Sequence, residues 1–127
     1  MTASTELARR AVACKAWRWM TGMADTKGHR IYGIMHFGAL VTVPHKASET
    51  AVLNLCDALP DLDDPATLGC LLARVREVWC DPGIYARQAS RRLCIVWAVY
   101  SYGTGSRTYA VADTEAEVLV AALEVAP

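Results

Sequence analysis

The chain lacks an excess of either charge, since 13 Lys and Arg residues are balanced by 13 Asp and Glu residues. A dedicated duplex-DNA binder normally carries a basic excess, so the balance argues against strong binding to duplex DNA. The sequence also lacks an apolar run as long as the roughly 20 residues of a membrane-spanning helix. Near its start, Glu6, Arg9 and Arg10 interrupt any hydrophobic signal segment. We therefore expect a soluble protein without a membrane partner.

Catalytic and redox signatures are missing as well. The sequence contains no C-x-x-C pair, no G-x-S-x-G element, no P-loop and no dinucleotide-binding fingerprint, which argues against an enzyme and a bound cofactor. A small hydrolase that pairs a cysteine with a histidine in space stays open as an alternative. The cysteines are odd in number and widely spaced, which predicts reduced thiols that pack as small hydrophobes in a reducing cytoplasm: Cys14, Cys56, Cys70, Cys80 and Cys94.

Hydrophobic residues, by contrast, make up 54% of the 127 residues, enough for the core of one domain spanning 1–127. The pattern predicts a first helix over Glu6–Met20. Trp17 and Trp19 would point about 200° apart on that helix. Either the chain therefore leaves the helix near Lys15, or one indole faces a partner. A second helix is predicted over Ser48–Leu59, although the residues that precede it could extend a strand.

The strongest helix signal follows. Asp64 is a good N-cap residue and Pro65 suits the first helical position. A core-facing stripe then recurs at helical spacing, while Thr67, Arg74 and Glu77 are predicted to face away; the stripe is Leu68, Leu71, Leu72, Val75 and Trp79. A capping box over Thr114–Glu117 predicts a last helix, buried on most sides, that runs to about Val125.

Two antiparallel hairpins complete the predicted fold. The first joins His29–Met35 to Ala39–Val43, where Pro44 ends the second strand because it has no N–H to donate. The second joins Leu93–Tyr102 to Arg107–Ala112. Both faces of Leu93–Tyr102 are largely apolar, as expected for a central strand or one covered on each side. The sequence therefore predicts a compact α+β domain in which antiparallel hairpins pack with three or four helices.

Three phrases resemble those of a group of small uncharacterised proteins from tailed phages and prophages. The first is Trp17-Arg18-Trp19-Met20 followed by Gly22-Met23, and the second runs from Leu59 to Leu72 as LPDLDDPATLGCLL. The third is TEAE at Thr114–Glu117, continued by LVAALE and the final Ala126-Pro127. The chain departs from this group at Thr21, where proline is usual, and at Cys80, where glycine is usual.

The resemblance implies a phage or prophage origin and assigns no catalytic residue. Small accessory phage proteins often bind host machinery, so it implies a non-catalytic binding protein that interferes with a host process, such as a counter-defence inhibitor acting in the host cytoplasm. The expected partner is a host protein. One alternative is that the chain sequesters a nucleotide-derived immune signal, and another is that it is a structural accessory of the virion.

The best candidate surface for such a ligand lies around the second hairpin. Arg87, Arg91 and Arg92 are three arginines within six residues, and Tyr100 and Tyr102 follow on the next strand. Guanidinium groups suit phosphates and aromatic rings stack on bases. The alternative is that these residues bind no ligand and form a solvated strand edge, with the arginine side chains extended along the surface.

A second candidate partner surface comprises Trp17, Trp19, Asp61 and Asp63, where the carboxylates could imitate phosphate charge toward a basic partner. The aspartates do not form a calcium loop, because the twelfth position counted from Asp61 is a leucine. No metal site is predicted, since the histidines show no ligand spacing: His29, His36 and His45. The apolar surplus in a short chain further predicts a homodimer.

Overall fold

The computed structural model describes residues 3–36, 38–43, 46–102 and 106–127. Within these ranges the chain forms three helices and six strands, which are α1 Ala3–Ala13, β1 Arg30–Met35, β2 Gly38–Val43, β3 Lys46–Leu53, α2 Pro65–Val78, β4 Ile84–Arg91, β5 Cys94–Ser101, β6 Arg107–Ala112 and α3 Glu115–Glu124. The strands form two three-stranded antiparallel sheets, β1-β2-β3 and β4-β5-β6. The predicted α+β class with antiparallel hairpins is confirmed. None of the described helices is long and apolar enough to cross a membrane.

The first predicted hairpin is present as β1 and β2. Their pairing runs from Arg30 opposite Thr42 to Met35 opposite Gly38, and Ile31 and Val41 are buried on the inner side. Strand β2 ends at Val43 as the sequence predicts, while Pro44 itself lies outside the described residues.

The helix predicted over Ser48–Leu59 is wrong. Residues up to Leu53 form β3, which pairs with β2 through Leu40 opposite Val52 and Ala39 opposite Leu53. Apolar residues at helical spacing suggested the helix, but β2 has a free edge whose N–H and C=O groups need partners. Strand pairing satisfies those groups, so the tertiary environment overrides the local pattern.

Helix α1 ends at Ala13 rather than at Met20, which confirms the alternative that the chain leaves the helix near Lys15. Trp17 and Trp19 then lie in an irregular segment, with ring centroids 5.4 Å apart in an edge-to-face contact. Residues two apart on a helix could not bring their rings together in this way. The segment is held in place by Arg74, whose Nε donates to the carbonyl oxygen of Ala16 at 2.7 Å.

Helix α2 begins as predicted. The side chain of Asp64 accepts from the backbone N–H of Thr67 at 2.9 Å, and Leu71 and Val75 are fully buried. The prediction that Thr67 faces away is wrong, because this residue is buried. Its hydroxyl accepts from the backbone N–H of Ala24 at 2.9 Å and donates to Asp64 at 2.9 Å. A polar residue can occupy this site because its buried hydroxyl is fully hydrogen-bonded.

The end of α2 uses a cap that normally favours glycine. Cys80 has a φ of 52°, in the left-handed region. Its N–H donates to Glu77 O at 3.2 Å, and the N–H of Asp81 donates to Arg76 O at 3.0 Å. These two bonds are the Schellman pattern, in which the left-handed position is usually occupied by glycine. Cys80 therefore substitutes for glycine in the cap without changing how the helix ends.

Helix α3 and the second sheet complete the core. Thr114 caps the helix by accepting from the N–H of Glu117 at 3.1 Å, as predicted. Most sides of the helix are buried, which confirms the predicted environment; the buried residues are Val118, Leu119, Val120, Ala122 and Leu123. The strand at Cys94–Ser101 is central, as expected, but one of its neighbours, β4, was not predicted.

Candidate functional site

The two faces of the second sheet have different environments. Ile84 of β4 and Val99 of β5 are fully buried in the core that contains α3. Side chains alternate between the two faces along a strand. The residues next to Ile84 on β4 and next to Val99 on β5 therefore point away from this core. Tyr85 pairs with Tyr100, and Arg87 pairs with Ala98. We call this side of the β4-β5-β6 sheet the outer face.

Arg87 is held on the outer face by a group of tyrosines. Its Cζ atom lies 5.0 Å from the ring centroid of Tyr100 and 5.9 Å from the centroids of Tyr85 and Tyr102. Its Nη1 donates to the hydroxyl of Tyr102 at 3.2 Å. Guanidinium groups are attracted to the faces of aromatic rings at such distances. The tyrosines therefore restrict where this exposed cation can lie.

The same contacts set the ionisation of the tyrosine hydroxyls. A hydrogen-bonding contact with Tyr85, followed by the charge of Arg87, lowers the pKa of Tyr102 from its usual value. Burial, followed by the contact with Tyr102, raises the pKa of Tyr85. Tyr102 accepts a hydrogen bond from Arg87, so its ionised form is favoured over that of Tyr85.

A concavity of about 320 Å³ lies beside the tyrosines. Arg87 and Arg91 line it on β4, while Thr108 and Val111 line it on β6. Its remaining lining residues are small, apolar or aromatic, namely Ala89, Ser90, Val96, Ala98 and Tyr100. The concavity therefore combines two cations along one strand with an apolar centre.

Charge is distributed unevenly along the chain in a way that favours this site. Residues 84–112 contain four arginines and no Asp or Glu, leaving nine basic and thirteen acidic residues elsewhere. The fourth arginine, Arg107, packs over the rings of Trp79 at 5.0 Å and Tyr109 at 4.5 Å, so its guanidinium is engaged at a different place. Among the described residues, no ion pair forms with Arg87, Arg91 or Arg92. Within the described ranges, the guanidinium charges of the outer face are therefore not paired with carboxylates.

The structure brings most of the predicted basic and aromatic residues together. Arg87, Arg91 and Tyr100 line the same concavity, and Tyr102 packs against Tyr100 with centroids 4.8 Å apart. Arg92 lies apart from them, in the turn between β4 and β5 with a φ of 55°. Sequence reasoning missed Tyr85. The period-two pattern of Tyr85, Arg87, Ala89 and Arg91 was the available signal.

The second predicted surface is dispersed. Trp17 and Trp19 are half-buried and pack against the core, and Trp17 Nε1 is buried without a hydrogen-bond partner within the described part of the chain. Asp61 accepts from the backbone N–H of Asp63 at 3.1 Å in the turn before α2. Asp63 is exposed, whereas Asp61 is half-buried. The tryptophans are thus largely accounted for by packing.

The cysteines and histidines form no constellation. Cys14 and Cys70 pack against the core as predicted, but the prediction is wrong for Cys56, Cys80 and Cys94, which are exposed because they lie in turns or at a strand end. His29 Nδ1 lies 2.8 Å from the buried carboxylate of Asp25, where it closes a loop. His36 is exposed, and His45 is outside the described residues. Across residues 3–36, 38–43, 46–102 and 106–127, no three His, Cys, Asp or Glu side chains are grouped to hold a metal.

Comparison with protein-family models, curated proteins and solved structures finds no match for this chain.

Proposed function

We propose that the protein is a non-catalytic binding protein, and that the outer face of its second sheet binds a nucleotide-derived anion. The observation that carries this proposal is the placement of Arg87 and Arg91 along one strand of a concavity whose centre is apolar. Phosphates accept from guanidinium groups in bidentate geometry. A base can lie on the apolar centre beside Tyr100, since every base has a flat face that packs on rings or aliphatic groups.

Three further features support binding of a small anion. The volume of about 320 Å³ is at the lower end of the roughly 300–1,000 Å³ found for ligand pockets, which suits one nucleotide unit. Arg87 is already restrained by the tyrosines, so less side-chain entropy is lost when a ligand binds. The uncompensated charge of residues 84–112 attracts anions from a distance.

Binding is a better account of this surface than catalysis. Within the described chain, no histidine, cysteine or carboxylate lines the concavity, so a general base or an activated nucleophile is not at hand there. In the phage setting that the sequence resemblance implies, capture of a nucleotide-derived immune signal in the host cytoplasm would act as counter-defence.

The test is calorimetric titration of the full chain with AMP, GMP, cyclic dinucleotides and inorganic phosphate. We expect at least one nucleotide to bind, and we expect Arg87→Ala and Arg91→Ala each to weaken binding by about tenfold or more. Arg87→Lys should also bind poorly, because an ammonium keeps the charge but loses the planar fork. Raising salt from about 50 to 500 mM should weaken binding as well.

The matched control is Arg9→Ala, which removes an exposed arginine from α1 and should leave nucleotide binding unchanged. No heat with any nucleotide would overturn the proposal, and so would wild-type affinity in Arg87→Ala. Loss of the added nucleotide during the titration would support the rival hydrolase instead.

A host protein with an acidic surface is the second candidate ligand for the same face. The observation that favours it is residue type: Tyr102 is 62% exposed beside Arg87, and tyrosine and arginine dominate binding energies at protein interfaces. In that case the nucleotides give no heat, whereas Tyr102→Ala and Arg87→Ala weaken binding of the purified partner.

A further inference from the structure

The tip of the β4–β5 hairpin is basic and apolar at once. The last pair of the two strands is Arg91 opposite Cys94, so Arg92 and Leu93 form the turn. Leu93 is fully exposed and Ile95 is 71% exposed. Arg92 forms no ion pair with any described residue. Leu93 and Ile95 together leave apolar surface in water at the tip, and burial of that surface against a partner would be favourable.

A cavity of about 410 Å³ has the complementary character. It lies between the first turns of α1, α2 and α3, and its apolar residues are Leu7, Leu62, Leu68 and Ala116. Three carboxylates surround this centre: Asp63, Glu115 and Glu117. We call it the helix-start cavity.

A second depression of about 320 Å³ extends the helix-start cavity. The two share Ser4, Leu62 and Asp63, and the extension adds Asp61 and Pro60. Within the described chain, neither depression is lined by a lysine, an arginine or a histidine. The surface that results has an apolar floor and a rim of carboxylates, while the nearest interacting cations, Arg10 near Glu117 and Arg30 near Asp61, lie outside its lining.

We propose that two copies of this chain form a two-fold dimer in which the Arg92–Leu93 tip of each copy enters the helix-start cavity of the other. Leu93 would contact the apolar floor, and Arg92 would pair with the rim at Asp63. The charges are complementary, because all described lining residues of the cavity are neutral or acidic while the tip is basic. The volume accommodates a leucine side chain and the stem of an arginine.

A two-fold arrangement follows from this pairing. Each copy carries one tip and one cavity. In a closed dimer, each tip therefore fills the cavity of the other copy, and the same contact occurs twice. Charged rims raise the association rate and make the complex sensitive to salt. The dimer is independent of the proposed nucleotide site, since Arg92 and Leu93 do not line the outer-face concavity.

A charge swap tests the proposal, with dimerisation measured by sedimentation velocity on the full chain at concentrations up to about 200 µM. We expect Arg92→Glu and Asp63→Lys each to raise the dimer dissociation constant by about tenfold or more. The doubly substituted chain should return to near the wild-type value, because each reversed tip then meets a reversed rim. An equimolar mixture of the two single variants should also dimerise, by the same reasoning.

Two further variants test the apolar contact of Leu93 and control for the effect of a charge reversal elsewhere on the surface. Leu93→Ser should dissociate the dimer, because it removes the side chain that the floor covers. Lys15→Glu, a charge reversal at an exposed residue after α1, should leave the dimer intact. All these positions are exposed, and circular dichroism will verify that each variant is folded. A monomeric wild type at the highest concentration overturns the proposal, and so does a double variant that stays as dissociated as its parents.

Discussion

The two faces of the second sheet share the same strands but have different environments. On the inner face, Ile84 and Val99 are fully buried and contribute to the core that contains α3. On the outer face, Arg87 is surrounded by tyrosine rings and remains exposed. Because neighbouring residues of a strand point to opposite sides, stability and the proposed ligand binding can be changed separately, one residue apart. Substitutions of the buried inner-face residues should destabilise the protein, whereas those of exposed outer-face residues should alter only the surface.

The largest effect is expected on the inner face. Ile84→Ala should lower the free energy of unfolding by about 2–5 kcal/mol, since it removes a fully buried side chain and leaves a cavity. Chemical denaturation measures the change, and Gln88→Ala, at an exposed residue of the same strand, is the control. A loss below about 1 kcal/mol would mean that the inner face is not a close-packed core.

A smaller loss is expected at a buried polar residue outside the sheet. Thr67→Val should cost about 1–3 kcal/mol, because it preserves the shape but leaves the N–H of Ala24 without its acceptor. Thr67→Ser retains the hydroxyl and should be closer to wild type. If valine is tolerated as well as serine, the hydroxyl contributes nothing and the packing alone matters.

The cap of α2 should make stability depend on pH. The hydrogen bonds from Arg30, at 2.8 and 3.0 Å, hold the pKa of Asp64 well below its usual range. A carboxyl group with a lowered pKa in the folded state stabilises the protein above its unfolded pKa of about 4, and this contribution is lost as pH falls below that value. Denaturation at several pH values should show the decline. In Asp64→Asn the decline should be shallower, and an unchanged slope would assign it to other carboxylates.

The smallest effect on stability is expected on the outer face. Arg87→Ala should change the free energy of unfolding by less than about 1 kcal/mol, because exposed charges contribute little. It should, however, raise the pKa of Tyr102 toward its ordinary value, since the guanidinium charge helps to lower it. Nuclear magnetic resonance titration of labelled tyrosine carbons measures this shift. A Tyr102 pKa that does not move would show that the cation is not held against the ring.

The elements with local signals could be predicted from the sequence. Asp64 before Pro65 marks the start of α2, and Thr114 marks the start of α3, because a cap satisfies N–H groups only three residues away. The candidate site was predictable only in part. Arg87, Arg91 and Tyr100 were identified by residue type, but Tyr85 was not, since its role depends on which strand lies beside it.

Errors arose where the decisive hydrogen bonds join distant residues. Leu53 belongs to a strand because β2 offers it a partner in Ala39, and a helical apolar spacing over Ser48–Leu59 could not reveal that edge. This outcome is governed by the free energy of the assembled structure rather than by residue preference.

By itself, the sequence determined the starts of α2 and α3, the two hairpins and the α+β class, because caps, turns and alternation act over a few residues. Only the tertiary structure decided that Ile84–Arg91 pairs with Cys94–Ser101 as a strand. That pairing places Arg87 and Arg91 on the same side as Tyr100, and it leaves Leu93 exposed at the tip. The backbone N–H and C=O groups of a strand need partners on a neighbouring strand. The register of that pairing therefore decides which face of the sheet each side chain occupies.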